Sequence, residues 1–86
     1  MKKNFKKFVE ENVDGVDKII RHKDGTFSLH RGFFYRHGMT SEKWAEKVSD
    51  RLKEANVDFE VVKHNEHWAA WPKDSWFIVT VKVNSF

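Results

Sequence analysis

The sequence predicts a small α+β domain: an antiparallel four- to five-stranded sheet with two helices on one face, in the order α-β-β-α-β-β-β. Three observations predict it. Apolar residues recur at helical spacing around Phe5–Val13 and again around Trp44–Ala55. They alternate with a period of two from Trp76 to Val83. Asp24-Gly25 stands between two β-rich runs, a strong local hairpin signal. A length of 86 residues suits one domain, 1–86, with 1–15 as an N-terminal helix or arm and 16–84 as the sheet-and-helix core.

Residues 2–13 place Phe5, Phe8, Val9 and Val13 on one helical face, with Asn4 as a cap and Gly15 as a stop. The charge order opposes the helix dipole, because Lys2, Lys3, Lys6 and Lys7 lead and Glu10 and Glu11 trail. A basic arm that orders on a partner is the alternative reading. In the hairpin, a two-residue loop pairs Lys23 with Thr26, His22 with Phe27 and Ile20 with Leu29. Ile20, His22, Phe27 and Leu29 then face the core, opposite Ile19, Arg21, Lys23, Ser28 and His30.

Arg31 to His37, RGFFYRH, reads as a central aromatic strand. Gly32 there marks a bulge or a close approach by another group. Thr40 is the expected cap of the second helix, and Glu42 complements its dipole. Trp44, Ala45, Val48, Leu52 and Ala55 form its apolar stripe, and Asn56 its stop. Glu42, Glu46 and Asp50 run beside Lys43, Lys47 and Arg51, which reads as a solvated face with compensating i,i+3 pairs or as a basic stripe for phosphate. Val57–Lys63 then reads as a strand, His64–Glu66 as a turn, His67–Trp71 as a short strand and Pro72–Ser75 as another turn. In the last strand Phe77, Val79, Val81 and Val83 oppose Trp76, Ile78, Thr80 and Lys82. Trp76 and Ile78 therefore need cover from a helix, a loop or another molecule.

The segments R-G-F-F-Y-x-H-G-M-T-x-E-K and E-H-W-A-A-W resemble a group of small phage- and prophage-encoded proteins without assigned function. The likeness spans roughly residues 28 to 84. It implies a mobile-element origin and carries over no catalytic residue.

Composition narrows the chemistry. No cysteine is present, which excludes disulfides and thiolate metal sites and fits the cytoplasm, the host's if the chain is phage-encoded. No apolar run approaches the ~20 residues of a membrane span. The net charge of +3 permits nucleic-acid binding without demanding it. His64, Glu66 and His67 are the nearest approach to a metal set, but H-x-x-H without a third placed ligand is weak, so no metal or cofactor is expected. Neither a nucleophile elbow nor a glycine-rich phosphate loop occurs, and no enzyme activity is expected.

Binding is the expected role. Arg21, Arg31, Arg36, Lys43 and Lys47 are candidates for phosphate contacts, with Tyr35 as a stacking group. The simpler reading of Phe33, Phe34 and Trp44 is core. Trp68, Trp71 and Trp76 form a second cluster, suited either to core filling or to a protein partner. Two functions follow as expectations, an accessory protein for nucleic acid or nucleoprotein and a protein-binding inhibitor of a host antiviral nuclease system, with a metal-dependent enzyme using His64, Glu66 and His67 as the last alternative. A homodimer through an edge strand is compatible with both.

Overall fold

The computed structural model describes residues 4–32, 38–71 and 74–85. Its elements are α1 (Phe5–Asn12), β1 (Lys18–Arg21), β2 (Thr26–Gly32), α2 (Ser41–Glu54), β3 (Asp58–His67) and β4 (Trp76–Ser85). The four strands form one antiparallel sheet in the order β1-β2-β4-β3. Both helices pack on one face, so the α+β architecture is as expected, with four strands among the described residues.

Each helix begins and ends where its chemistry directs. Asn4 caps α1, its Oδ1 accepting from the Lys7 amide at 3.2 Å. The adverse charge order of α1 is overcome by packing: Phe5, Val9 and Val13 are buried, and the Phe5 ring lies 4.8 Å from that of Phe27. The N-terminal segment from Phe5 to Asn12 is therefore a docked helix. Thr40 caps α2 through the Lys43 amide at 3.1 Å. At its other end Asn56 takes φ 60°. The Asn56 amide donates to the Lys53 carbonyl and the Val57 amide to that of Leu52, a Schellman closure with Val57 and Leu52 both buried.

The hairpin register differs from expectation. The observed register pairs Arg21 with Phe27, Ile20 with Ser28 and Ile19 with Leu29. The loop is three residues long, because the His22 amide donates to the Thr26 carbonyl and the Gly25 amide to that of His22. Gly25 takes φ +88°, so Asp-Gly here builds a turn followed by a left-handed glycine rather than a two-residue primed turn. The shift changes partners by one residue, which turns the whole of β1 over. Ile19 joins Phe27 and Leu29 on the core side, whereas Ile20 and His22 move to the opposite face.

Two further expectations are corrected. His64–Glu66 is not a turn: β3 runs without a break to His67, pairing with β4 as far as Trp76. Trp68–Trp71 consequently lies in the connection, and the fifth strand is not seen. Arg31 and Gly32 belong to the end of β2. The remainder of the expected central strand, Phe33–His37, lies outside the described residues, as do Pro72 and Lys73 of the expected turn. Gly32 does meet a close approach. Its amide donates to Asp17 Oδ2 at 2.6 Å, and a Cβ there would stand 2.9 Å from the same oxygen.

Trp44, Val48, Leu52, Leu29, Phe77, Val79 and Val81 are fully buried between the helices and the sheet. Trp44 is tied to the sheet as well as packed on it, because its Nε1 donates to the Leu29 carbonyl at 3.1 Å. Among the described residues no helix is long and apolar enough to cross a membrane.

Candidate nucleic-acid interface

The two helices cover only the Phe27–Leu29–Phe77–Val79–Val81 side of the sheet. On the other side the register aligns four rows of side chains across the strands. One row is Lys18, His30, Ile78 and Asn65; the next is Ile20, Ser28, Thr80 and Lys63. Beyond these lie Thr26, Lys82 and Glu60 in one direction and Gly32, Trp76 and His67 in the other. Lys18, Lys63 and Lys82 thus share this face with three histidines, if His22 beside Thr26 is included. Glu60 is the one carboxylate among these rows. Trp76, Ile78 and Ile20 are half-buried, an apolar floor inside a basic rim.

Hydroxyl groups join the strands beneath this face. His22 Nε2 and Ser28 Oγ are 2.6 Å apart, and Ser28 Oγ lies 3.0 Å from Thr80 Oγ1. Ser28 and Thr80 are both buried, so this chain satisfies polar groups that would otherwise be costly. His30 is buried beside them, its ring edge-on to Trp76 at 5.7 Å between centroids. Burial holds its pKa below the ordinary imidazole value, and the positive charges of Lys18, His22 and His67 act in the same direction.

That shift carries a stability prediction. A depressed histidine pKa means the unfolded chain takes up the proton more readily, so its contribution is intact above about pH 6.5 and declines as pH falls below it. Thermal unfolding followed from about pH 7.5 to about pH 5 should show a Tm loss that is smaller in His30→Gln, which removes the titrating group. An equal loss in both proteins would contradict this role.

A bulge determines which residues of β3 reach the open face. Val61 pairs with Val81, but the next partner of Thr80 is Lys63, so Val62 is the extra residue. Val62 is 54% exposed. Without the bulge Lys63 would follow Val61 toward the helices. With it, Lys63, Asn65 and His67 share the open face, and His64 and Glu66 point to α2. There His64 Nδ1 lies 2.9 Å from Ser41 Oγ, and Glu66 Oε2 accepts from the Ser41 amide at 3.3 Å. A carboxylate at the first turn of α2 complements the helix dipole. Glu66 and His64 thus both contact Ser41, and the group ties β3 to α2.

The residues singled out from the sequence are distributed differently. Arg21 is exposed and lies opposite Phe27, on the helix-covered side. Arg31 lies opposite Phe77 on the same side, with its guanidinium 5.3 Å over the Trp44 ring. It also fills the space beside Gly15, where a Cβ would collide with it. Lys43 donates from Nζ to the Gly38 carbonyl at 3.0 Å, and Lys47 is half-buried on α2. Tyr35 and Arg36 lie outside the described residues. His64 and Glu66 point away from His67, and no group of three potential metal ligands occurs among the described residues.

The tryptophans divide as well. Trp76 lies on the open face, whereas Trp68 and Trp71 are 62% and 67% exposed on the β3–β4 connection. Ser75, almost fully buried, draws that connection together by accepting from the Ala69 amide at 2.9 Å. The sheet-face residues His22, Ser28, His30, Lys63 and Thr80 were not singled out from the sequence as a group. Their one legible signal is the run of small hydroxyl residues at the non-core positions of two apolar strands.

Among the described residues, the fold and the face together define an α+β sheet domain with helices on one side and a basic, partly apolar surface on the other. Comparison with protein families, with curated proteins and with solved structures gave no match.

Proposed function

We propose that the protein is a small non-catalytic accessory protein of phage type that binds single-stranded nucleic acid across the open face of its sheet. The observation that carries this reading is the setting of Trp76 and Ile78, half-buried within a face bearing Lys18, Lys63 and Lys82. Every base offers a π-face to an aromatic side chain, and the lysines supply charge for the backbone, so such a surface binds with little sequence preference. The likeness of RGFFY and EHWAAW to phage-encoded proteins supports the setting. The phosphate-binding role moves from Arg21, Arg31, Lys43 and Lys47, which stand on the helix side, to the open-face lysines.

Fluorescence anisotropy with labelled single- and double-stranded DNA and RNA tests it. Single strands should bind in preference to duplexes, with affinity falling as salt rises. Trp76→Ala should weaken binding by about 1–3 kcal/mol, the range for loss of one stacking platform. Lys18→Glu with Lys82→Glu should abolish it, whereas Arg21→Glu with Lys47→Glu should change it far less. Equal effects from the two charge reversals would move the interface elsewhere.

A second reading rests on a different observation, the exposure of Trp68 and Trp71, three residues apart on the β3–β4 connection. It is a protein-binding inhibitor of a host antiviral nuclease system, anchored by those rings. Nuclease inhibition that survives Trp68→Ala and Trp71→Ala would exclude that surface.

A further inference from the structure

A cavity of about 470 Å³ opens on the sheet face where the β1–β2 turn looks across to the β3 bulge. His22, Lys23 and Thr26 line it from the turn, Lys63 and Val62 from the bulge, and Thr80 forms part of its floor. Two features of local geometry create it. The three-residue loop turns His22 onto this face, and the extra residue in β3 does the same for Lys63. We propose that this cup binds a phosphomonoester, the terminal phosphate of a single strand or a free phosphate group. The strand-end form rests on the nucleic-acid reading; the phosphate site itself does not.

The charges in the cup favour that ligand. Lys23 and Lys63 contribute two positive charges from opposite walls. Asp24 also lines the cavity, but its Oδ1 accepts from the Thr26 amide at 3.0 Å and the Thr26 hydroxyl at 2.7 Å. Those two bonds hold its carboxyl pKa below the ordinary value and keep it committed to the turn. Its charge offsets part of the lysine field, which favours a ligand able to bring hydrogen-bond acceptors as well as charge. A phosphomonoester carries about −1.5 to −2 at neutral pH and three acceptor oxygens. An internal phosphodiester carries a single charge and two free oxygens, so it gains less from the same walls. His22 and Thr80 add polar groups toward the floor. The ionic character and wide mouth of the cup do not suit an apolar ligand.

Position links the cup to the rest of the face. Thr80 and Trp76 are four residues apart on β4, or about 13 Å at the usual strand rise. A strand whose end phosphate sits in the cup therefore passes its nearby bases over Ile78 and Trp76.

Two probes test the proposal on the full chain. Inorganic phosphate is titrated while backbone amide shifts are followed by NMR. Short oligothymidylates carrying a 5′-phosphate, a 3′-phosphate or no terminal phosphate are compared by anisotropy at one salt concentration. Phosphate should give saturable shifts centred on His22–Thr26 and Val62–Lys63. One phosphorylated end should bind about fivefold more tightly than the unphosphorylated oligomer, in keeping with one added charge-assisted contact. Lys23→Gln should reduce that ratio to near one, and a ratio is insensitive to a general loss of affinity. Saturable phosphate shifts without oligomer binding would support the cup and overturn the nucleic-acid reading. Oligomer binding with no terminal preference and no phosphate shifts would overturn the cup and leave the nucleic-acid reading standing.

Discussion

Trp44→Ala should remove a large share of the stability of the domain. Trp44 is fully buried at the centre of the helix–sheet interface. Truncating a buried tryptophan to alanine costs about 3–5 kcal/mol in lost transfer energy and cavity formation. A domain of this length has only about 4–13 kcal/mol in total. The indole also donates to the Leu29 carbonyl and carries the Arg31 guanidinium over its ring. Trp44→Phe separates these contributions, because it keeps much of the bulk and leaves the carbonyl without that donor, at about 1–3 kcal/mol. Urea unfolding followed by circular dichroism measures both. A Trp44→Ala protein within about 1 kcal/mol of the parent would mean that Trp44 is not the centre of the core.

Insertion of one alanine between Val62 and Lys63 is the second large effect, and it is unexpected at so exposed a site. Val62→Ala should fall within about 0.5 kcal/mol of the parent, as most surface substitutions do. Deletion of Val62 would leave Lys63 next to Val61 and still opposite Thr80, whereas an inserted alanine takes the place opposite Thr80 and, by the period of two, inverts the facing of every residue from Lys63 to His67. Lys63 would then meet the core side opposite Val79, and His64 and Glu66 would leave Ser41. The expected cost is on the order of 2–3 kcal/mol, or about 10–20 °C in Tm for a domain of this size. Binding to the open face should fall in parallel, because Lys63 and His67 leave it. Parent-like Tm and binding in the insertion variant would show that the bulge absorbs the added residue without inversion.

The helices and the last strand were legible because their signals are local. Asn4, Thr40 and Asn56 act through backbone groups within four residues of themselves, and each does what its residue type predicts. The alternation of β4 has a single physical solution, since Phe77, Val79 and Val81 must be buried together. The hairpin register was not legible, because Asp-Gly serves equally well in a two-residue turn and in a three-residue turn that ends in a left-handed glycine. That ambiguity of one residue concealed the site, as it decides whether His22 stands beside Phe27 or beside Ser28. The β3 bulge was hidden for a different reason. Val61-Val62 looks like an ordinary continuation of a strand, and only the competing demands of Val81 and Thr80 on β4 force the extra residue out. The arginines misled because charge in a sequence carries no information about its face. Arg31 proves to be a packing residue, with its guanidinium against Trp44 and Gly15.

The strand order has a consequence for how the molecule is assembled in time. β4 is the last strand in sequence, yet it lies between β2 and β3 in the sheet. Until it is in place, β2 has only β1 beside it, and β3 has no strand partner at all. The α2–β3 segment and the β1–β2 hairpin are therefore two halves without a common spine, and neither buries its apolar side chains alone. Long-range pairing of this kind pays its loop-closure entropy before any contact rewards it, which slows folding. On the ribosome the nascent chain would leave the β4-facing sides of Leu29 and Trp44 uncovered until that strand emerged, the interval in which exposed apolar surface is most prone to aggregate.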